Sequence, residues 1–252
     1  MNTIDNSSVR PDTQDTRDFI KEASSPVDDS VHIDLLHGID YKVRNQGNLS
    51  ACTGYASTNF ISILNSKLTH LWTTYDPYFS WYNGRKEEGT LGKNTGVMPR
   101  TVMRVMHSKG SLPECFSSMK LSTSEPNEKD YKWADKMKIK SYFKISEDEK
   151  IKTFHHTLIN ERLPIFTCIN LYSGSWNRCK FNGILEYSKD FKNDVKDGAH
   201  AVVVYGWDPS ENKFLALNSH GEGFGKNGSF LISPEYVEKD SWNNWTVGYD
   251  YF

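Results

Sequence analysis

The sequence predicts an α+β fold with a helical half followed by a β half. Residues 51–110 place apolar side chains at helical spacing, whereas residues 139–252 contain short β-branched and aromatic runs separated by Gly, Asn and Asp. The third observation is length. At 252 residues the chain can bury a substantial core as one large domain or as two packed lobes, and a cleft between two such halves is a natural place for a site.

Each element follows from its own residues. Residues 1–28 are rich in Asp, Ser, Thr and Pro, with too few large apolar groups to offset the entropy of ordering; they read as a polar tail or short pro-segment ahead of a domain spanning 29–252. Within them "TRDFIKEA" is amphipathic and would be helical if docked. "VHIDLLHGIDYKV" reads as an extended lead-in. In "CTGYASTNFISILNSKL", Ala56, Phe60, Ile63 and Lys67 recur at helical spacing and Ile61, Leu64 and Leu68 widen the stripe, giving a mostly buried helix that starts near Cys52. "YDPYFSWYNGRKEEG" reads as a Pro-started turn and short helix whose aromatics pack in the core. In "GVMPRTVMRVMHSKG", Met98, Val102, Val105 and Met106 share a helical face and Gly110 ends it. A polar connection around "STSEPNEKDYK" separates a helical lobe, about 46–118, from a β lobe, about 125–252. That lobe contains "IKSYFKI", a helical "EDEKIKTFHHTLINE", and then "LPIFTCINLY", "AHAVVVYGW", "KFLALNS", "GSFLIS" and "NWTVGYDYF", the strands of an antiparallel sheet or small barrel.

Composition excludes several functions. The 30 basic and 32 acidic residues are spread along the chain for a net charge of −2, which leaves no electrostatic footprint for nucleic acid. Cys52, Cys115, Cys168 and Cys179 are irregularly spaced, without a CxxC pair or a short Cys/His cluster, so neither metal, cofactor nor disulfide framework is expected. The first residues lack the apolar core of a secretory signal, and no apolar run approaches a membrane span. The expectation is a soluble, cytoplasmic protein with no membrane partner. Thiols stay free in such a compartment, which favours a cysteine kept for chemistry.

Cys52, in "RNQGNLSACTGYA", is the candidate. At a helix N-terminus the unpaired N–H groups and the dipole favour a thiolate, the reactive form. Ser50, Ala51 and Gly54 are small and Gly47 permits a tight turn, so a substrate carbonyl has room to approach. The side-chain amide of Gln46 and the backbone N–H of residue 52 would together form an oxyanion hole. A base is offered by His200 in "DGAHAVVVYGWD". An orienting group is offered by Asn218 in "FLALNSHGEGFGKNGSF", whose side-chain oxygen would accept the imidazole Nδ1–H and turn the other ring nitrogen toward the sulfur.

These motifs, in this order, resemble the papain-like cysteine peptidases over roughly residues 31–252. His200 lies 148 positions beyond Cys52 (200 less 52), within the family's spacing, and Asn218 lies 166 beyond (218 less 52), which an insertion between two strands would explain. The resemblance assigns Gln46 to the oxyanion hole, Cys52 as nucleophile, His200 as base and Asn218 as its orienter. It implies a two-lobed fold, a helical left lobe and a barrel-like right lobe with the cleft between them, and a peptide or protein substrate. Leu49, where most members have a disulfide cysteine, resembles the disulfide-poor microbial and viral branch. Thr53 replaces an aromatic packing residue. His220 replaces the Trp that shields the His–Asn bond, so the expected activity is more sensitive to pH. Because members are commonly made as inactive precursors, residues 1–28 would cover the cleft or be a simple leader.

The remaining candidates have blander readings. Cys168 is a strand-core residue, while Cys115 and Cys179 have no assigned role. His155 and His156 would point apart on a helix and read as surface or boundary residues. "GEGFGKNG" precedes a strand and lacks the Ser/Thr of a phosphate loop, so it reads as a surface loop beside the cleft. Two other functions fit the same residues: a papain-fold binding protein without turnover, and an amidase or acyl transferase using Cys52.

Overall fold

The computed structural model describes residues 9–120, 123–187 and 194–252. Helix α1, Cys52–Thr69, begins at the expected cysteine and is buried on nearly every side along its first thirteen residues. Gly54 explains how a second helix comes so near: a Cβ there would lie 2.6 Å from the carbonyl oxygen of Pro77 and 3.0 Å from Trp81 Cβ. Its small size thus serves helix packing. The second helix, α2 (Pro77–Glu87), starts with Pro at its first turn, and the Asp76 side chain accepts from the Tyr78 N–H, two standard start signals acting together. Tyr75, Phe79, Trp81 and Tyr82 are all buried, the packing role expected of this aromatic run. Helix α3, Pro99–Ser108, completes the helical side with its apolar face inward.

The β half is an open nine-stranded sheet. Its order is β1 (Ile20–Lys21), β3 (Tyr142–Ile145), β9 (Ser241–Val247), β4 (Ile165–Tyr172), β6 (Lys196–Asp208), β7 (Lys213–Leu217), β8 (Ser229–Ile232) and β5 (Ile184–Leu185), with β2 (Ile33–Asp34) on β6. The interior pairs are antiparallel, while β1–β3 and β5–β8 are parallel, so the sheet is mixed at its edges and does not close into a barrel. The long strand β6 reads as a continuous apolar run because both of its faces are covered. Ala201, Val203 and Tyr205 point to the cluster shared with α1 and α3, whereas Val202 and Val204 point to the opposite cluster. That second cluster is covered by α5 (Lys150–His155) with its following π-helical turn His156–Asn160, by α6 (Ser173–Asn182) and by α7 (Pro234–Asp240).

Three expectations change. "TRDFIKEA" is not helical: its Ile20–Lys21 adds to the free edge of β3, where Lys144 N–H donates to the Phe19 carbonyl at 2.9 Å. An exposed sheet edge carries unpaired backbone groups that an adjacent segment satisfies more readily by extending than by coiling. His155 and His156 are buried. The His155 ring packs 4.4 Å from Trp207 and 5.0 Å from Phe214, and His156 Nε2 meets the Ser24 and Ser25 hydroxyls at 3.2 and 3.1 Å, because the N-terminal segment lies across this face. Finally, the polar connection holds helix α4, Glu128–Ala134, started by a reciprocal capping box between Asn127 and Asp130. Among the described residues, no helix is long and apolar enough to cross a membrane, and no group of three or more His, Cys, Asp or Glu is placed to hold a metal.

Candidate active site

Four segments converge where α1 meets the sheet. Cys52 is the first residue of α1, and no side chain caps this helix at Ala51, so the N-terminal N–H groups keep their electrostatic effect on a group at that end. The loop before it is fixed from two sides. Asn94 accepts from the Ser50 N–H at 2.9 Å and donates to the Asn48 carbonyl at 3.3 Å, while Gly47, at φ +58, makes the turn. Gln46 is tied to the other lobe. Its backbone N–H donates to the Ser219 carbonyl at 2.9 Å, its Oε1 accepts from the Ser219 hydroxyl at 2.6 Å, and its Nε2 donates to the Leu49 carbonyl at 2.9 Å. One of the two Nε2 protons is thereby used, and the orientation of the amide is set.

His200 sits on β6 opposite Ile169 of β4 and is 2% exposed. Its Nε2 lies 2.7 Å from Asn218 Oδ1, which also accepts the Ser219 N–H at 2.7 Å. With Oδ1 as acceptor, Nε2 carries the proton and Nδ1 is the nitrogen left for another partner. This reverses the expected assignment, in which Nδ1 faced Asn218; the direction from which the end of β7 approaches the ring decides it. Asn218 is itself held by α1, since Asn59 Nδ2 donates to its carbonyl at 3.2 Å.

Cys52 is fully buried and shares an apolar cluster with Ala199, Ala201 and Cys168. Cys168 pairs with Ala201, the neighbour of His200. Burial first, and then the charge that Cys52 carries as a thiolate, push the Cys168 thiol well above its usual range. Cys168 is therefore an inert core thiol, as expected. Cys179 is also buried and Cys115 is exposed.

The ring of His220 stacks on that of His200, centroids 4.7 Å apart and planes 17° apart. Trp176, from α6, reaches both, at 5.6 Å from His200 and 5.9 Å from His220, and Phe224 packs 4.7 Å from Trp176. The sequence does not announce that Trp176 covers the position at which His220 replaces an aromatic shield. Asn59, Asn94 and Ser219 also escape the sequence reading, because lone polar residues acquire such roles only through tertiary partners.

Desolvation governs the imidazoles. Burial, then the nearby His220, hold His200 down to about 3 against the opposing Asn218 hydrogen bond; burial, then Lys180, lower His220; burial lowers His155. A base whose folded pKa lies below its unfolded value contributes stability above about pH 6.5, and loses it as pH falls and the unfolded chain takes up protons first. His200 alone is worth ~2 kcal/mol between pH 6.5 and 5 on this linkage. Asp12 acts the other way, because burial raises it to about 6, and it offsets ~1 kcal/mol over the last unit of that range. The urea midpoint should therefore fall from pH 7 to pH 5, and fall more steeply in Asp12→Asn; a flat or inverted profile in that variant contradicts this balance.

No family model matches the chain. A solved structure of xylellain, a cysteine protease from Xylella fastidiosa, superposes with a TM-score of 0.84 over 96% of both chains at 23% identity. The chain has the papain-like fold. Digestive procathepsin L 3 from Tenebrio molitor shares it at a TM-score of 0.70, 14% identity, and coverage of 96% of this chain and 77% of that one. In sequence, an uncharacterized peptidase C1-like protein of Acanthamoeba polyphaga mimivirus is 24% identical over 208 residues, spanning 78% of this chain and 66% of the length of that protein. On this papain-like frame α1 belongs to the helical lobe, β6 and β7 belong to the sheet lobe, and the groups described above lie at their junction.

Proposed function

We propose that this protein is a cysteine peptidase that cleaves peptide bonds through Cys52, His200 and Asn218, with Gln46 in the oxyanion hole. The observation that supports this most is the buried 2.7 Å hydrogen bond between His200 Nε2 and Asn218 Oδ1, which leaves Nδ1 as the proton acceptor for a thiol arriving from α1. Cys52 gives its proton to His200 Nδ1 as the sulfur attacks the substrate carbonyl. The oxyanion is held by the second Nε2 proton of Gln46 and the N–H of residue 52. His200 then returns the proton to the leaving amine, the C–N bond breaks, and a thioester remains. Water, deprotonated by His200, hydrolyses that thioester and frees the sulfur. Because burial disfavours a charged His200 ring, proton transfer to it and attack by the sulfur are coupled.

The burial of Cys52 supports a second part of this proposal: residues preceding the domain cover the cleft and must move for substrate to enter. Val9 is 1% exposed and belongs to the same apolar cluster as Cys52. Arg10 donates to the Gly96 carbonyl at 3.1 Å and pairs with Glu88, beside the Asn94 that fixes the nucleophile loop. Incubation with a diverse peptide library, read by mass spectrometry, tests both parts. The chain should cut peptides, and Arg10→Ala should cut them several-fold faster. A library left intact by both proteins sinks the peptidase reading, and equal rates remove the cover.

A further inference from the structure

The Asn218 amide is held at both ends. Its Oδ1 takes the His200 Nε2–H and the Ser219 N–H, and its Nδ2 lies 3.3 Å from Nδ1 of His220. The amide nitrogen has only hydrogens to offer, so His220 Nδ1 must be the unprotonated acceptor. The same imidazole lies parallel to the His200 ring at 4.7 Å and is closed off by Trp176 and by Phe224, the latter 5.6 Å away.

We propose that His220 is a positioning residue that must be neutral: its Nδ1 fixes the Asn218 amide so that Oδ1 faces His200, and a proton on it shuts down the thiol chemistry. The proposal rests on the peptidase reading above. Protonation of His220 has two consequences of the same sign. It removes the acceptor for Asn218 Nδ2, leaving a donor against a donor, and it sets a positive charge against the ring that must itself become an imidazolium. Among the described residues, the groups facing His220 offer no compensation. From α6 comes Lys180, a cation; from β6 comes His200; and the segment 45–48 contributes Asn45, Gly47 and Asn48. The cleft beside it, about 560 Å³, has no carboxylate among the described residues of its lining. Activity should accordingly be lost as pH falls through the titration of His220, which burial and Lys180 keep below the ordinary histidine range.

The roles separate by substitution. His220→Asn places an amide oxygen near the position of Nδ1 and takes up no proton, whereas His220→Leu removes the acceptor and the charge together. The readout is the rate of Cys52 alkylation by iodoacetamide as a function of pH, which needs no substrate, with peptide turnover beside it. In His220→Leu the alkylation rate at pH 7 should fall about tenfold, with kcat reduced and KM little changed. His220→Asn should recover most of that loss and carry the acid limb at least 0.5 pH unit lower than in the natural protein. Thermal unfolding of both variants at pH 7 shows whether either has lost its fold. A folded His220→Leu with the natural rate, or a His220→Asn with the natural acid limb, overturns the proposal. Alkylation that His200→Ala leaves untouched in the natural sequence overturns the peptidase reading, and this proposal with it. If His220→Leu unfolds, the acid limb of His220→Asn still decides.

Discussion

Replacing Cys52 by Ala should abolish peptide hydrolysis, and replacing His200 by Ala should lower kcat/KM by about 10⁴-fold or more. The expectation follows from the division of labour. Without the sulfur no thioester forms, and without the imidazole the sulfur must ionise alone in a buried, apolar site, where desolvation disfavours the anion. The effects should not add, because nucleophile and base act as one unit; the double variant should be no slower than the slower single one. Initial rates on one cleaved peptide measure this, with thermal unfolding of each variant as the control for folding. Both side chains are buried, so modest shifts in stability are expected, but a folded Cys52→Ala that still turns over peptide at the natural rate excludes Cys52 as the nucleophile.

The second large effect belongs to Gln46. Its Oε1 and backbone N–H are both held by Ser219, and one Nε2 proton by Leu49, so the remaining proton is pre-oriented and costs little to align during reaction. Gln46→Ala should lower kcat by about 10²–10³-fold with a much smaller change in KM, the pattern of a group that acts mainly in the transition state. Ser219→Ala provides the companion test, since it removes the 2.6 Å hydrogen bond that orients the amide without touching the donor. Its loss should be smaller than that of Gln46→Ala and of the same kind. A Gln46→Ala protein that loses only in KM would place this side chain in substrate binding instead.

Much of this was legible in the amino-acid sequence, for reasons that are local. The start of α1 at Cys52, the Pro-started helices α2 and α3, and the strands β4, β6, β7 and β8 are written in periodicity, Pro positions and β-branched runs, which act over a few residues. Gln46, Cys52, His200 and Asn218 stood out because their residue types and order carry chemistry. What was not legible depends on partners distant in the chain. The two-residue strands β1, β2 and β5 exist because a sheet edge is available to them, not because of their own composition. His155 and His156 are buried because the N-terminal segment and Trp207 lie over them. Which nitrogen of His200 meets Asn218 depends on where Asn218 is held, and its anchor is Asn59, distant in the chain on α1. Trp176 covers His220 through a helix whose sequence, "SGSWNRCKFN", gives no apolar pattern that would announce it.

The central claim, that His200 acts as the base for Cys52, is tested most directly by the alkylation rate of each of the four cysteines at pH 6, resolved by mass spectrometry. Cys115 is exposed while Cys168 and Cys179 are buried, so Cys115 is the reference for an accessible thiol that no base assists. Cys52 should react at least about tenfold faster than Cys115, Cys168 and Cys179, and His200→Ala should remove that advantage. Labelling of Cys52 no faster than that of exposed Cys115, or unchanged in folded His200→Ala, contradicts it.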